Sequence, residues 1–315
     1  MQCVLCQKAG GTSMRKMTLR LADVLINLVI PTPEFDAQLI NKVCYWLYTF
    51  CPGLNIDMEE ADYFEVYLSV VCKNSVTPCI NRYNNVVFLY DYWQQRKEAI
   101  AFLAKYIAQL FEAALQKQGK YILHATAVSV QQKGVIFIGD VWQGKTVSAL
   151  MSKLLIENAK LVSANRILVE DTKIVGASPV FSIPQIMLDQ YPQCTSLFSS
   201  VSQFNDRRCY KTDVAPLPII MCQMVIPYID NGLFDISRLC LEDAIWYLFE
   251  KASSSIRGNT ILFGFKEPAP NEDSEDISRK RLNYIRKLCK EIPIYRVRGT
   301  PNQIAKSVSD IMVEN

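Results

Sequence analysis

The sequence holds one histidine among 315 residues, no extended run of lysine and arginine, and no apolar stretch of the length that spans a bilayer. Each scarcity removes a class of function. With 34 Lys+Arg against 31 Asp+Glu, the formal net charge of +3 is small and dispersed, which gives no continuous track for a polyanion. Neither nucleic acid nor a membrane is therefore expected as a partner. Val24–Ile30 is too short and wrongly flanked to be a signal-peptide core. Cys3 and Cys6 form the only close CxxC pair, and no second pair or histidine follows at finger-like spacing to complete a zinc framework. The 11 cysteines are an odd set. Cys44, Cys72, Cys194, Cys222, Cys240 and Cys289 sit in or beside apolar runs, as reduced core thiols do, which points to the cytoplasm.

What is present fits a globular chain with a substantial core, since 50% of residues are hydrophobic and 21% charged, and the length allows two lobes. Residues 1–13 carry no periodic pattern and read as a flexible extension. Residues 14–93 read as a small N-terminal α+β lobe: a strand across Met17–Ile30, a helix from Asp36 to about Phe50, then strands at Tyr63–Cys72 and Asn85–Tyr92. The apolar stripe Ile100, Leu103, Ile107, Leu110, Phe111 and Ala114 predicts a helix from about Gln94 to Gln118, bridging the lobes. Residues 94–315 form the larger domain.

Within it, Tyr121–Val130 and Gly134–Ile138 are β-rich runs separated by three residues, a spacing that allows only an antiparallel hairpin. A helix to about Glu157 comes next, followed by short strands at Lys160–Val162, Ile167–Val169 and Lys173–Val175. Pro218–Tyr228 is apolar enough for a buried strand, with Pro227 expected to stop it. Leu241–Lys251 reads as an amphipathic helix, Glu267–Asp276 as an exposed loop, and the chain closes with a helix, a short strand and a last helix through Ile311.

Between the hairpin and the first of these helices lies Gly139-Asp140-Val141-Trp142-Gln143-Gly144-Lys145-Thr146, a complete G-x-x-x-x-G-K-[ST] match between strand and helix. Such a loop turns successive N–H groups onto phosphate oxygens, adds the positive end of a helix dipole and brings a lysine to the β- and γ-phosphates. Gly139 to Val147 are the expected nucleotide-binding residues, with Lys145 on the phosphates and the Thr146 hydroxyl on Mg²⁺. Trp142 and Gln143 are bulky for the middle of such a loop; Trp142 either stacks on the base, closes the pocket, or anchors the loop by packing.

The strand His124-Ala125-Thr126-Ala127-Val128, the short turn, Gly134–Ile138 and the loop together resemble the HPr kinase and phosphoenolpyruvate carboxykinase superfamily. The resemblance covers roughly Tyr121 to the C-terminus, is specific over its first thirty residues and implies an α/β fold with a mixed-sheet P-loop domain; the smaller α+β lobe before it rests on the residue pattern alone. The resemblance places His124 near the phosphates as a hydrogen-bonding or proton-handling group, where the alternative is a satisfied core histidine. It also matches Asn165 to the position at which similar proteins carry a proton-accepting aspartate, followed by Arg166, which is suited to charge on a transferring phosphoryl group. Glu170 and Asp171 close the only apolar strand with an acidic end shortly after the loop, so they are the expected metal carboxylates, unless they are surface-turn residues. The implied activity is ATP-dependent, Mg²⁺-dependent phosphotransfer to a hydroxyl of a small molecule, peptide or protein. A degenerate relative that binds nucleotide without transfer, acting as a partner subunit or in a homo-oligomer, is the alternative.

Overall fold

Ala22, at φ 51, turns the first apolar run back on itself, so the single strand expected across Met17–Ile30 is a hairpin with Leu21 opposite Val24. Alanine in that left-handed conformation is uncommon, and no Gly or Asn marks the turn in the sequence. The computed structural model describes residues 14–31, 37–57, 65–70, 79–83, 86–91, 97–178, 180–198, 200–204, 207–211, 214–257 and 270–314. The N-terminal extension, with Cys3 and Cys6, lies outside them.

The hairpin strands β1 (Met14–Leu21) and β2 (Val24–Pro31) are followed by α1 (Ala37–Phe50), β3 (Asn55–Asp57), β4 (Glu65–Val70), β5 (Cys79–Tyr83), β6 (Val86–Asp91) and α2 (Lys97–Lys117). The strands form a six-stranded sheet in the order β3-β1-β2-β4-β6-β5. The expected strands at Tyr63–Cys72 and Asn85–Tyr92 correspond to β4 and β6. The chain divides into two compact units inside α2, between Phe111 and Glu112, rather than ahead of that helix. The second unit comprises Tyr48–Gly53, Glu112–Arg257 and Asn271–Asn315.

This second unit continues with β7 (Lys120–Leu123), β8 (Ala125–Val130), β9 (Lys133–Ile138), α3 (Lys145–Leu155), β10 (Lys160–Ser163), β11 (Ile167–Glu170) and β12 (Lys173–Ala177). After β13 (Val180–Pro184), α4 (Gln185–Gln190) and a 3₁₀ turn (Pro192–Leu197) come β14 (Ser200–Phe204) and β15 (Arg207–Lys211). The rest is β16 (Ile219–Ile229), β17 (Asp235–Arg238), α5 (Leu241–Ser253), α6 (Glu275–Glu291), β18 (Ile294–Gly299) and α7 (Pro301–Glu314). Nine strands make one mixed sheet, ordered β10-β8-β9-β16-β12-β11-β7 with β18 beside β16 and β17 beside β18; β13, β15 and β14 form a separate three-stranded sheet.

The pleat sends alternate side chains of β9 to opposite faces. Ile136 and Ile138 enter one core with Ala244 and Leu248 of α5 and Ile285 and Leu288 of α6. Val135 and Phe137 enter the other with Val147, Leu150 and Met151 of α3 and Ile304 and Val308 of α7. Fully burying side chains of this kind contributes about 1.5–3 kcal/mol each, so helices on both faces lock β9 and fix where its C-terminal end points. The expected hairpin is confirmed, with Ala125 opposite Ile138, and β9 runs parallel to β16 on its other side. Pro227 does not stop β16. Pairing with β9 ends at Val225, and the β18 ladder carries on through Pro227 to Ile229, so the missing N–H falls where one side of the strand is already free. The acidic segment before α6 is less open than expected: Asp273 is buried against Arg281, 2.7 Å from its Nη2, and also pairs with Arg257.

Candidate functional site

β7 pairs with β11 at one end of the large sheet and β8 pairs with β9 and β10 at the other, so the chain passes between the two ends at His124. The register sets His124 beside the C-terminal end of β9, where the Gly139–Thr146 loop begins. Sequence alone gives His124 a place on a strand; the fold gives it a place at a break.

Gly144 caps α3 in the left-handed conformation, φ 94, and no side chain caps the helix. The first-turn N–H groups of Lys145, Thr146 and Val147 therefore have neither intrahelical partners nor a side-chain substitute, and the helix dipole adds positive potential there. Gly139 is shaped by Gln143, whose Oε1 accepts from the Asp140 N–H at 2.6 Å and would lie 2.2 Å from a Cβ at residue 139. Gln143 thus braces the loop from within. Trp142 has φ 70 and is 75% exposed, and Val141 is 65% exposed, so Trp142 does not anchor the loop by packing within the described residues.

Lys145 is only 7% exposed, and its Nζ donates to the carbonyl oxygens of Gly139 (2.9 Å) and Asp140 (2.7 Å). Burial, with the like charge of Lys251, pushes its ammonium down to about 8, although Asp140 pulls the other way. Asp140 itself forms an ion pair with Lys251 of α5. Thr146 sits half-buried in the first turn of α3.

Asn165 neighbours His124 and favours its protonated form, and Asn165 Nδ2 donates to the Thr49 carbonyl at 3.4 Å. His124 keeps an exposed surface, yet surrounding protein and the positive charges of Lys145, Arg166 and Lys251 hold its imidazole far below the ordinary range, so it is neutral at pH 7. Arg166 faces Glu112 of α2, Nη1 to Oε2 at 3.7 Å, and covers the Phe50 ring at 5.4 Å from its centroid. That separation is too long for a hydrogen bond. Burial pushes the Glu112 carboxyl up to about 7 against the opposing charge of Arg166, and its Oε2 has no hydrogen-bond partner.

Glu170 and Asp171 are not at this site. Glu170 pairs with Lys173, Lys173 with Ile220, and Ile220 with Lys133, which puts both acids level with the start of β9 while the loop leaves its end. Across six residues that separation is roughly 17 Å at the usual strand rise. Glu170 is instead 3.8 Å from Lys120, and Asp171, in the turn at φ 48, is 3.5 Å from Lys287. They are turn and rim residues. Among the described residues no group of three or more His, Cys, Asp or Glu is placed to hold a metal ion.

Two residues of the site carry no motif. Lys251 stands 111 positions from the Asp140 it pairs with, and Glu112 lies inside a helix whose apolar stripe gave no reason to single it out. An acid on the buried side of an amphipathic helix is the one signal that could have drawn attention to Glu112. Among the described residues no helix is long and apolar enough to cross a membrane. No family model matches this chain, and no curated protein matches it.

Proposed function

We propose that this chain binds a nucleoside triphosphate, ATP in the first instance, through Gly139–Val147, in a domain of the HPr kinase type, and that it transfers the terminal phosphoryl group to a hydroxyl of a small molecule, peptide or protein. One observation carries the reading: the start of α3, which no side chain caps, and the charges of Lys145, Arg166 and Lys251 all bear on the space around His124, and among the described residues these cations face the carboxyls of Asp140 and Glu112. A polyphosphate supplies the missing anion. Arg166, steered by Glu112, is suited to charge developing on the transferred group, and neutral His124 is suited to hydrogen bonding with a phosphate oxygen or the acceptor hydroxyl.

Mg²⁺ fits this site as a companion of the phosphates. Thr146 offers one hard oxygen, and magnesium commonly takes most of its remaining ligands from substrate oxygens and water. When bound it would neutralise charge between the β- and γ-phosphates.

A second reading, binding without transfer in a partner or regulatory subunit, is favoured by a specific feature: an amide, Asn165, stands where the family resemblance expects the proton acceptor, and the sequence's candidate metal acids face lysines at the far end of the sheet. The test of the shared core is calorimetric titration with ATP and Mg²⁺. Lys145→Ala is expected to abolish binding or weaken it at least tenfold, equivalent to about 1.4 kcal/mol. Unchanged affinity in a folded variant would remove the proposal.

A further inference from the structure

Lys251 lies in the last turn of α5, outside every motif of the sequence. Its Nζ meets the carboxylate of Asp140, the second residue of the phosphate loop, and sits 5.1 Å above the Tyr247 ring centroid. The lysine is the more sheltered partner, with 21% of its side chain exposed against 67% for Asp140. The hydroxyl of Tyr247, beneath it, is buried without a hydrogen-bond partner. Lys251 also acts electrostatically on both Lys145 and His124, so its charge is felt across the whole loop mouth.

An exposed acid in a loop built to receive anions works against that purpose, because it puts like charge beside the incoming phosphates. Here the acid is occupied by a lysine, and the principal lysine is occupied by the loop's own carbonyls. Both cations are thus held by weaker acceptors than a polyphosphate, whose several charges outcompete one carboxylate or two neutral carbonyls. We propose that Lys251 is a second phosphate-binding residue, and that Asp140 is a latch that holds it at the loop mouth until a polyphosphate displaces the carboxylate. This rests on the triphosphate-binding reading above and adds to it a residue from another helix and a competition built into the loop.

The alternative is a plain surface ion pair, whose two partners are worth little and are equivalent. The proposal makes them opposite in sign. The experiment is calorimetric titration of the full chain with inorganic tripolyphosphate, which isolates the phosphate contacts from any base. Lys251→Met is expected to weaken binding about tenfold, Lys251→Arg to keep it within about threefold, and Asp140→Asn to tighten it by about threefold or more. With Met at position 251, the gain from Asp140→Asn should shrink, because part of it comes from freeing that lysine. Unchanged affinity in Lys251→Met, or weaker binding in Asp140→Asn, would overturn the latch. If wild type binds and Lys145→Ala does not, such a result sinks only this inference; if wild type itself fails to bind tripolyphosphate, the triphosphate reading falls with it.

Discussion

The side chain of Ile229, at the end of β16, closes against the backbone of Gly144 so tightly that a Cβ there would lie 2.4 Å from its Cγ1. Gly144 is also at φ 94, so two independent constraints demand glycine at the start of α3. Gly144→Ala should destabilise the protein by about 2 kcal/mol or more, from left-handed strain and overlap together. Thermal melts should show the transition moving down by several degrees. Trimming the neighbour, as Ile229→Ala in the same chain, should recover only the overlap part. Full recovery would mean that the left-handed conformation imposes no strain.

Lys145 gives the site a pH dependence with a definite sign. Its folded-state value is pushed down from 10.5 to about 8, and a polyanion favours the charged form. Affinity for a triphosphate should therefore hold below pH 8 and fall as pH rises through that value, with proton uptake on binding in the falling range. Titrations in two buffers of different ionisation enthalpy would measure the uptake. Lys145→Arg should bind without that slope, because guanidinium does not titrate there. A wild-type affinity that is flat to pH 9.5 would contradict the buried, desolvated lysine.

Glu112 leaves a mark on stability. Burial raises its carboxyl from 4.5 to about 7, so the folded state holds a proton that the unfolded state has lost between those values. The associated stability is fully present below pH 4.5 and is lost as pH rises through 7. Urea unfolding across this window should show the decline, and Glu112→Gln should flatten it while gaining stability at pH 7.5. Gln retains the hydrogen-bonding shape without the buried charge. An unchanged slope in the variant would assign the decline to other groups.

How far the sequence disclosed this arrangement depended on distance along the chain. The antiparallel hairpin and the turn into α3 were legible because Tyr121 to Thr146 is continuous, and turn length plus glycine spacing decide its local structure. The resemblance points to adjacent Asn165 and Arg166 without testing their roles, and in the structure both bear on His124. Glu170 and Asp171 failed for a physical reason: an acid at the end of a strand says nothing about which end of the sheet it reaches, and antiparallel pairing with β7 turned β11 the wrong way. The hairpin at Ala22 was hidden because an alanine made the left-handed turn. The Lys251–Asp140 and Arg166–Glu112 pairs join separate elements through side chains, and no periodicity in either element announces the other.

The lone histidine makes the final prediction unusually clean, since any imidazole signal in this chain is that of His124. Desolvation by the surrounding protein and the charges of Lys145 and Arg166 hold it down to about 3, while neighbouring Asn165 acts the other way. Its proton resonances in an untagged protein should thus stay at the neutral position from pH 7.5 down to pH 5. Asn165→Asp replaces an amide oxygen with a carboxylate at the same place, and a negative neighbour favours imidazolium, so the histidine signal should begin to titrate within that range. The same substitution restores a group able to accept a proton from an attacking hydroxyl. If the chain is a weakened phosphotransferase, ADP release from ATP and Mg²⁺ should rise in Asn165→Asp over wild type. A histidine that moves while ADP release stays at zero in both proteins would leave nucleotide binding without transfer as the function. A histidine that does not move would show that residue 165 does not face it, and the proton-acceptor assignment would fail with that contact.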